Sequence, residues 1–259
     1  MSYCVYTVLF TLSDKDPSKN MYIKIFQLWI SQLIKKADVK RCVVLADIRT
    51  IVFLSDLFIL NKYLLRKAKF KLDFMKFESP KTLLEGMIHK YTSFDYDEDY
   101  LMYCDIDVFI NKPLASLSIE TSKSDGIYLH AEGHINTYAE AFTESMKTNF
   151  IKPGYPGFSA GKFVIRGKSV RDLLFQKIHE FNNSEHFYTI EQPFFNKAIY
   201  SLLDKINIYT NYITPPKISN NCRNFDEQTT VLVDFQGQPG DGAFHLDKII
   251  DFFAYANVT

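Results

Sequence analysis

The sequence predicts an α/β domain with a mostly parallel central sheet flanked by helices on both faces. Short runs rich in β-branched and aromatic residues alternate with segments of helical periodicity through the first hundred residues. The run 100–104 (YLMYC) carries no charge until it meets Asp105, as expected for a strand covered on both sides. Such alternation is typical of βαβ units, in which helices join parallel strands.

The first half is predicted to hold four strands and three helices. In the first helix, Ile25, Trp29 and Leu33 recur at helical spacing, and Pro80 stands where the third helix could start. The predicted strands are Tyr3–Phe10, Arg41–Ala46, Phe70–Phe77 and Tyr100–Cys104. The predicted helices are Met21–Ile34, Ile51–Arg66 and Lys81–Tyr91.

The second half mixes the two kinds of element less regularly. Strands are predicted at Gly126–His130, Phe163–Arg166 and Val231–Phe235. Helices are predicted at His134–Asn149, Val170–Asn182 and Glu191–Leu203, with a last helix from about Phe244. No repeat, low-complexity tract or linker interrupts the chain, so a single domain over 1–259 is the simplest organisation.

Composition argues against several classes of protein. The chain is 47% hydrophobic and 23% charged, with 23 Phe and 16 Tyr, so it can build a large core and is expected to be ordered. Thirty basic and thirty acidic residues cancel, and no long block of one sign occurs. This removes the electrostatic argument for binding nucleic acid or an anionic membrane surface.

The cysteines and the N-terminus favour a cytoplasmic location. Cys4, Cys42 and Cys104 lie in apolar runs and form no CxxC pair, which indicates core thiols in a reducing compartment. Residues 1–12 lack a basic start and a small-residue cleavage site, and they are too few to span a bilayer. We therefore expect no signal peptide and no membrane anchor.

The sharpest motif is Asp105-Ile106-Asp107, directly after the predicted strand 100–104. Ligands of open α/β sheets bind beyond the carboxyl ends of the strands. Two carboxylates at that edge suit Mg²⁺ or Mn²⁺, which prefer oxygen ligands and keep positions open for phosphate oxygens. Two acids that merely end a strand in solvent would give the same tripeptide, so the wider sequence has to decide.

Further segments follow the acidic pair in order: FSAGKFV at 158–164, EQPFFN at 191–196 and DFQG at 234–237. Together with KYTSFDYDEDYLMYCDIDVFINKPL at 90–114, they resemble the donor-site segments of GT-A-fold glycosyltransferases of the glycogenin and galactosyltransferase type. The resemblance extends over about residues 3–253. It implies one GT-A (Rossmann-like) domain, with a nucleotide-binding half at 1–111 and an acceptor and donor-sugar half at 112–259.

The resemblance also implies a reaction: transfer of a sugar from a nucleotide-diphosphate sugar, in the first instance a UDP-sugar, to an unidentified acceptor. The departing diphosphate gathers negative charge, which Mn²⁺ or Mg²⁺ and nearby lysines would stabilise. Asp105 and Asp107 are expected to bind the metal. Asp234, which replaces the histidine of the family's HxxG segment, is the expected third ligand, and His245 is the alternative.

Donor contacts are likewise implied by the resemblance. Glu191 is the candidate for contact with the donor sugar near its anomeric carbon, and Gln192 would support it by hydrogen bonding. An acid at the start of a helix is also favoured by the helix dipole alone. The remaining residues predicted to bind the nucleotide-sugar are Thr11, Leu12, Ser13, Tyr22, Lys90, Asp105, Ile106, Asp107, Ala160, Gly161, Gly237 and Lys248.

A phosphatase would use the same acids differently. The run 105–108 (DIDV) fits the nucleophile signature of haloacid-dehalogenase-type phosphatases, and 240–242 (GDG) resembles their late acidic loop. Asp105 would then attack a phosphoryl group while Asp107 acts as acid and base. Against this, about a hundred residues precede Asp105, and the segments SAG and EQPFFN have no role. A catalytically inactive relative that binds sugar nucleotides is the other alternative.

The segment 129–134 (LHAEGH) places two histidines and Glu132 close together. Gly133 and the preceding strand favour a loop over a helix here, which argues against a zinc protease site. His130, Glu132 and His134 are expected to line the acceptor site, with the loop 152–157. The acceptor, the sugar and the stereochemical course do not follow from the sequence.

Overall fold

The computed structural model describes residues 2–60, 66–119, 124–134, 154–184, 191–235 and 246–252. Within these ranges, ten strands form one sheet of seven and one of three. The large sheet contains β1 (Tyr3–Leu9), β2 (Arg41–Asp47), β3 (Lys71–Phe77), β4 (Tyr100–Cys104), β6 (Gly126–His134), β7 (Pro156–Arg166) and β8 (Ile208–Tyr209). The small sheet contains β5 (Val108–Ile110), β9 (Ile218–Asn220) and β10 (Leu232–Asp234).

The large sheet runs β3-β2-β1-β4-β7-β6-β8. Its first four strands are parallel, as in the pairing of Tyr3 with Tyr100 and of Cys4 with Arg41. Strand β7 is antiparallel to both β4 and β6, and β8 returns parallel to β6. The predicted fold class, an α/β domain on a mostly parallel sheet, is therefore confirmed.

Six helices accompany the sheets in the described residues: α1 (Met21–Lys36), α2 (Ile48–Leu60), α3 (Leu83–Met87), α4 (Lys168–Ser184), α5 (Gln192–Ser201) and α6 (246–252). Three 3-10 turns stand at Pro17–Lys19, Ile88–Tyr91 and Leu114–Leu117. Helix α1 starts at Asn20, whose side chain accepts the Tyr22 amide as an N-cap. None of these helices is long and apolar enough to cross a membrane.

The sheet separates two hydrophobic cores, because successive side chains of a strand point to opposite faces. In β1, Val5 packs on the first face with Phe26 and Trp29 of α1, while Tyr6 packs on the second face with residues of β4 and β7. The small sheet covers the first face, and α4 and α5 cover the second. The three cysteines predicted as core thiols are buried and unpaired.

Several predicted bounds need correction. Strand β7 begins at Pro156, seven residues before its predicted start, so the SAG segment is strand. Strand β6 continues to His134, so LHAEGH is strand where a loop was predicted, and the helix predicted from His134 does not begin there. The rest of that predicted helix lies outside the described residues. The helix predicted over 81–91 consists of α3 and a 3-10 turn.

Candidate active site

The acidic motif forms the turn between β4 and β5. The amide of Val108 donates to Asp105 O at 3.0 Å, which closes the turn. The Trp29 indole donates to the Val108 carbonyl at 2.9 Å, so a side chain of α1 is hydrogen-bonded to the residue that follows the turn. On either side, the Asp105 amide donates to Gly161 O at 2.8 Å and the Phe235 amide donates to the Asp107 carbonyl at 3.0 Å. Both acids therefore lie at the carboxyl end of β4, at the junction of the two sheets.

Strand β7 departs from regular pairing beside this turn. Leu129 of β6 pairs with Phe163, yet Ala131, only two residues on, pairs with Phe158. Residues 159–162 (SAGK) therefore bulge out of the β6–β7 ladder. Bulges of this kind re-aim side chains and are frequent next to active sites. Here the bulge brings the backbone of the SAG segment to the acidic turn.

Asp105 lies directly against this bulge. A Cβ added to Gly161 would stand 2.7 Å from Asp105 Oδ2, so a residue without a side chain is required there. The Tyr103 hydroxyl donates to Asp105 Oδ1, and the Lys90 ammonium lies 3.7 Å from the same oxygen. The Asp105 side chain is 32% exposed. Burial and the nearby Glu191 raise the pKa of Asp105, while the Lys90 charge opposes this shift.

A buried ion pair joins two distant segments next to Asp105. Lys90 is 1% exposed and donates to Glu191 and, at 3.3 Å, to Ala160 O. Its ammonium lies 4.7 Å from the ring centroid of Tyr103. Desolvation opposes the charge on Lys90, but Asp105 and Glu191 outweigh it and raise the Lys90 pKa. Glu191 is 3% exposed, and its Oε2 has no hydrogen-bond partner among the described residues.

The segment EQPFFN is bound to the SAG segment by its own side chains. Gln192 Oε1 accepts the Ala160 amide at 3.2 Å. Asn196 accepts the Phe158 amide at 2.7 Å and donates to the Phe158 carbonyl at 2.8 Å. Helix α5, which begins at Gln192, therefore fixes the position of β7 and sets Glu191 beside the acidic turn.

A second buried lysine lies among acids next to β10. Lys162 is 1% exposed and donates to Asp234, to Glu132 Oε1 at 2.5 Å and to Ser159 Oγ at 3.0 Å. Although desolvation opposes the charge, Asp234 and Glu132 raise the pKa of Lys162. The Lys162 charge in turn lowers the pKa of Glu132 in spite of burial. Lys162 was not predicted to belong to the site, although a charge within the apolar run 160–165 (AGKFVI) was a signal for it.

His130 stands on the edge of this second cluster. Its Nδ1 lies 2.8 Å from Ile213 O, and its buried Nε2 lies 3.9 Å from Glu132 Oε1 and has no hydrogen-bond partner in the part of the chain that the structure describes. Burial and the charge of Lys162 lower the pKa of His130 to about 4, so the imidazole is neutral at pH 7.

Comparisons with known proteins agree on one architecture. No protein-family model and no curated protein sequence matches this chain. Solved structures do match: galactosyltransferase LgtC in complex with donor and acceptor sugar analogues superposes over 95% of this chain and 94% of its own, with a TM-score of 0.58 at 10% identity. The chain has the GT-A glycosyltransferase fold.

Two further glycosyltransferase structures share this GT-A fold. The bifunctional glycosyltransferase WbbM, in its apo form, matches 92% of this chain with a TM-score of 0.61 at 13% identity. Glycosyltransferase GlyE of Streptococcus pneumoniae TIGR4 matches 96% of this chain with a TM-score of 0.54 at 13% identity. The chain spans 46% of the length of WbbM and 60% of that of GlyE. At these identities the likeness establishes the fold.

Other residues predicted to contact the donor lie in the first half of the chain. In the segment Thr11–Ser13, the first amide donates to Asp47 Oδ2 at 2.9 Å and the last donates to Pro80 O at 2.8 Å. Tyr22 is half-buried and packs against the first core. Ile106 is buried in the same core. Contact of these residues with a nucleotide stays a prediction.

The last group of predicted residues belongs to the C-terminal part. Lys248 of α6 lies 3.4 Å from Asn221 Oδ1, and the Asn221 amide donates to Asp234 O at 2.6 Å. Lys248 is thus close to the end of β10, on the side predicted for the diphosphate. Gly237 and His245 lie outside the described residues, as does the loop at 240–242 on which the phosphatase alternative depends.

Metal binding by the acids of the turn stays a prediction. Among the described residues, no three His, Cys, Asp or Glu side chains are placed to hold a metal ion together. Asp107 is partly withdrawn from solvent, and this burial, with the negative charge of Asp105 and Asp234, raises the Asp107 pKa well above its usual range. A divalent cation between Asp105 and Asp107 would relieve that repulsion, so the pair suits Mg²⁺ or Mn²⁺.

Proposed function

We propose that this protein transfers a sugar from a nucleotide-diphosphate sugar, in the first instance a UDP-sugar, to an acceptor. The observation that carries the proposal is that Asp105, Glu191 and the carbonyl of Ala160 all lie around the buried Lys90 ammonium, at the carboxyl edge of a GT-A sheet. These groups come from three separate parts of the chain. Ligands of open α/β sheets bind at this edge.

Asp105 and Asp107 would hold a divalent metal ion, Mn²⁺ or Mg²⁺. When bound, the ion supplies positive charge to the diphosphate as the bond to the sugar breaks. Gly161 has no side chain, so the Asp105 carboxylate can lie against the backbone of the bulge, where a Cβ would stand 2.7 Å from Oδ2. The donor sugar and its diphosphate would therefore lie along the bulge 159–162.

Glu191 would contact the donor sugar. Its Oε1 is fixed by Lys90, whereas Oε2 is buried and lacks a donor, which costs free energy until a hydroxyl donates to it. A sugar hydroxyl is the group that this position lacks. Lys90 donates to Glu191 and to Ala160 O, so we assign it a positioning role through Glu191. Gln192 contributes by holding the Ala160 amide.

A panel of UDP- and GDP-sugars tests the proposal by thermal unfolding, with and without Mn²⁺. A donor at a hundred times its dissociation constant should stabilise the protein by about 2.7 kcal/mol. Asp105→Asn should lose this stabilisation and the slow hydrolysis of the donor. Asp204→Asn, a substitution of an exposed acid after α5, is the matched control and should keep both.

The proposal fails if no sugar nucleotide stabilises the protein or is hydrolysed in the presence of Mn²⁺. Turnover of p-nitrophenyl phosphate that disappears in Asp105→Asn would point to the phosphatase alternative. Stabilisation by a donor without any hydrolysis or transfer would identify an inactive sugar-nucleotide-binding relative.

A further inference from the structure

Lys162 carries a positive charge next to the proposed donor site, but its ammonium cannot contact the diphosphate of a bound donor. Its ammonium has three protons and three acceptors, on Asp234, Glu132 and Ser159, and only 1% of the residue is exposed. A saturated, buried ammonium of this kind has no donor left for a diphosphate. Its effect on the site must therefore come from its charge and from the two carboxylates that it binds.

The contact with Lys162 decides whether Asp234 can also bind a metal ion. Asp234 is 4% exposed, on the last residue of β10, and one of its carboxylate oxygens accepts from Lys162. A metal ion that used Asp234 as a ligand would have to stand within about 2 Å of that carboxylate, next to the ammonium. Two cations would then compete for one carboxylate in a buried setting, at a large electrostatic cost.

We infer that the Lys162 ammonium binds the carboxylates of Asp234 and Glu132 and thereby prevents both from binding the metal ion. The inference rests on the proposed function. Among the described residues, Asp105 and Asp107 then remain as the protein ligands of the metal, in keeping with the lack of any group of three ligating side chains there. The diphosphate of the donor and water would supply the other ligands, so metal and nucleotide would bind together.

Electron paramagnetic resonance of Mn²⁺ measures the affinity of the protein for this ion directly and does not depend on enzymatic activity. Wild-type protein should bind Mn²⁺ weakly alone and at least about tenfold more tightly with UDP, because two carboxylates leave most coordination positions open. Lys162→Met should tighten Mn²⁺ binding without UDP by about tenfold, since two freed carboxylates join the site. Adding Asp234→Asn to Lys162→Met should reduce that gain, because one of the two freed carboxylates is then lost.

A gain of less than about threefold in Lys162→Met would overturn the inference. If Lys162→Met does not fold, Asp234→Asn in the wild-type background decides, since asparagine keeps an oxygen that Lys162 can donate to. Mn²⁺ affinity with UDP should then change less than about threefold, and a loss of tenfold or more would make Asp234 a ligand. The proposed function fails separately, when UDP does not tighten Mn²⁺ binding to wild-type protein.

Discussion

Lys90→Met is the substitution that best tests how the site is built. Methionine matches the length and apolar stem of lysine but removes the ammonium that Lys90 gives to Glu191 and to Ala160 O. Glu191, at 3% exposure and with Oε2 already unpartnered, would be left as a buried carboxylate without a partner. The Asp105 carboxylate, 3.7 Å from the ammonium, would lose its nearest positive charge as well.

The expected cost is large because both members of the pair are buried. Removing one partner of a buried ion pair typically costs about 3–5 kcal/mol, since the other charge is left uncompensated. Loss of the contact between the ammonium and the Tyr103 ring adds about 0.5–1 kcal/mol. Lys90→Met should therefore lower the free energy of unfolding by about 3–6 kcal/mol at pH 7.

Urea unfolding at pH 7, followed by circular dichroism, gives this free energy. A double-mutant cycle with Glu191→Gln isolates the pair, because glutamine keeps the shape and removes the charge. We expect the double variant to recover at least about 1 kcal/mol relative to Lys90→Met. Lys177→Met, at an exposed pair with Glu180 on α4, is the matched control and should cost less than about 1 kcal/mol. A cost below about 1 kcal/mol for Lys90→Met would refute the assignment of a buried, charged Lys90–Glu191 pair.

Three other predictions follow from the same site. Gly161→Ala places a methyl group 2.7 Å from Asp105 Oδ2, so calorimetry should show donor binding with Mn²⁺ weakened about tenfold or more. Asn196→Ala removes both hydrogen bonds to the Phe158 backbone and should lower the free energy of unfolding by about 2 kcal/mol, seen as a lower urea midpoint. Asp107→Asn should stabilise the metal-free protein at pH 7. The pKa of Asp107 is higher in the folded than in the unfolded protein, so wild-type stability falls as the pH rises between these two pKa values. Asparagine does not titrate and should abolish this slope of the free energy of unfolding against pH. Unchanged affinity, an unchanged midpoint or an unchanged pH slope would contradict the respective prediction.

The fold was predictable where a strand is buried on both faces. Strands β1, β2 and β4 match their predictions within one residue at each end, because apolar runs bounded by polar residues mark such strands. Strands β5, β8 and β9 were not predicted, since two or three residues show no periodicity. Strand β7 was predicted too short because its small residues at 159–161 lack β propensity and sit in the bulge.

The site was predictable as a set of segments but not as a network. The order of the acidic turn, SAG and EQPFFN anticipated that these segments belong together, and hydrogen bonds do join them. The role of Lys162 was missed because its acids are 30 and 72 positions away in the sequence. The predicted contact of Lys90 with a diphosphate stays a prediction, and its ion pair with Glu191, 101 positions away, was not anticipated. Spacing within a motif gives no information about pairings of this range.

The two buried lysines also bear on why a metal ion would be needed. Both ammonium groups are already matched by carboxylates, Lys90 by Glu191 and Lys162 by Asp234 and Glu132. Asp105 and Asp107 add further negative charge at the edge where the diphosphate would lie. An anionic diphosphate cannot approach such a surface favourably unless another cation joins it. A divalent ion held by the two aspartates would supply that charge, so the raised pKa of Asp107 and the proposed metal dependence would have one electrostatic cause.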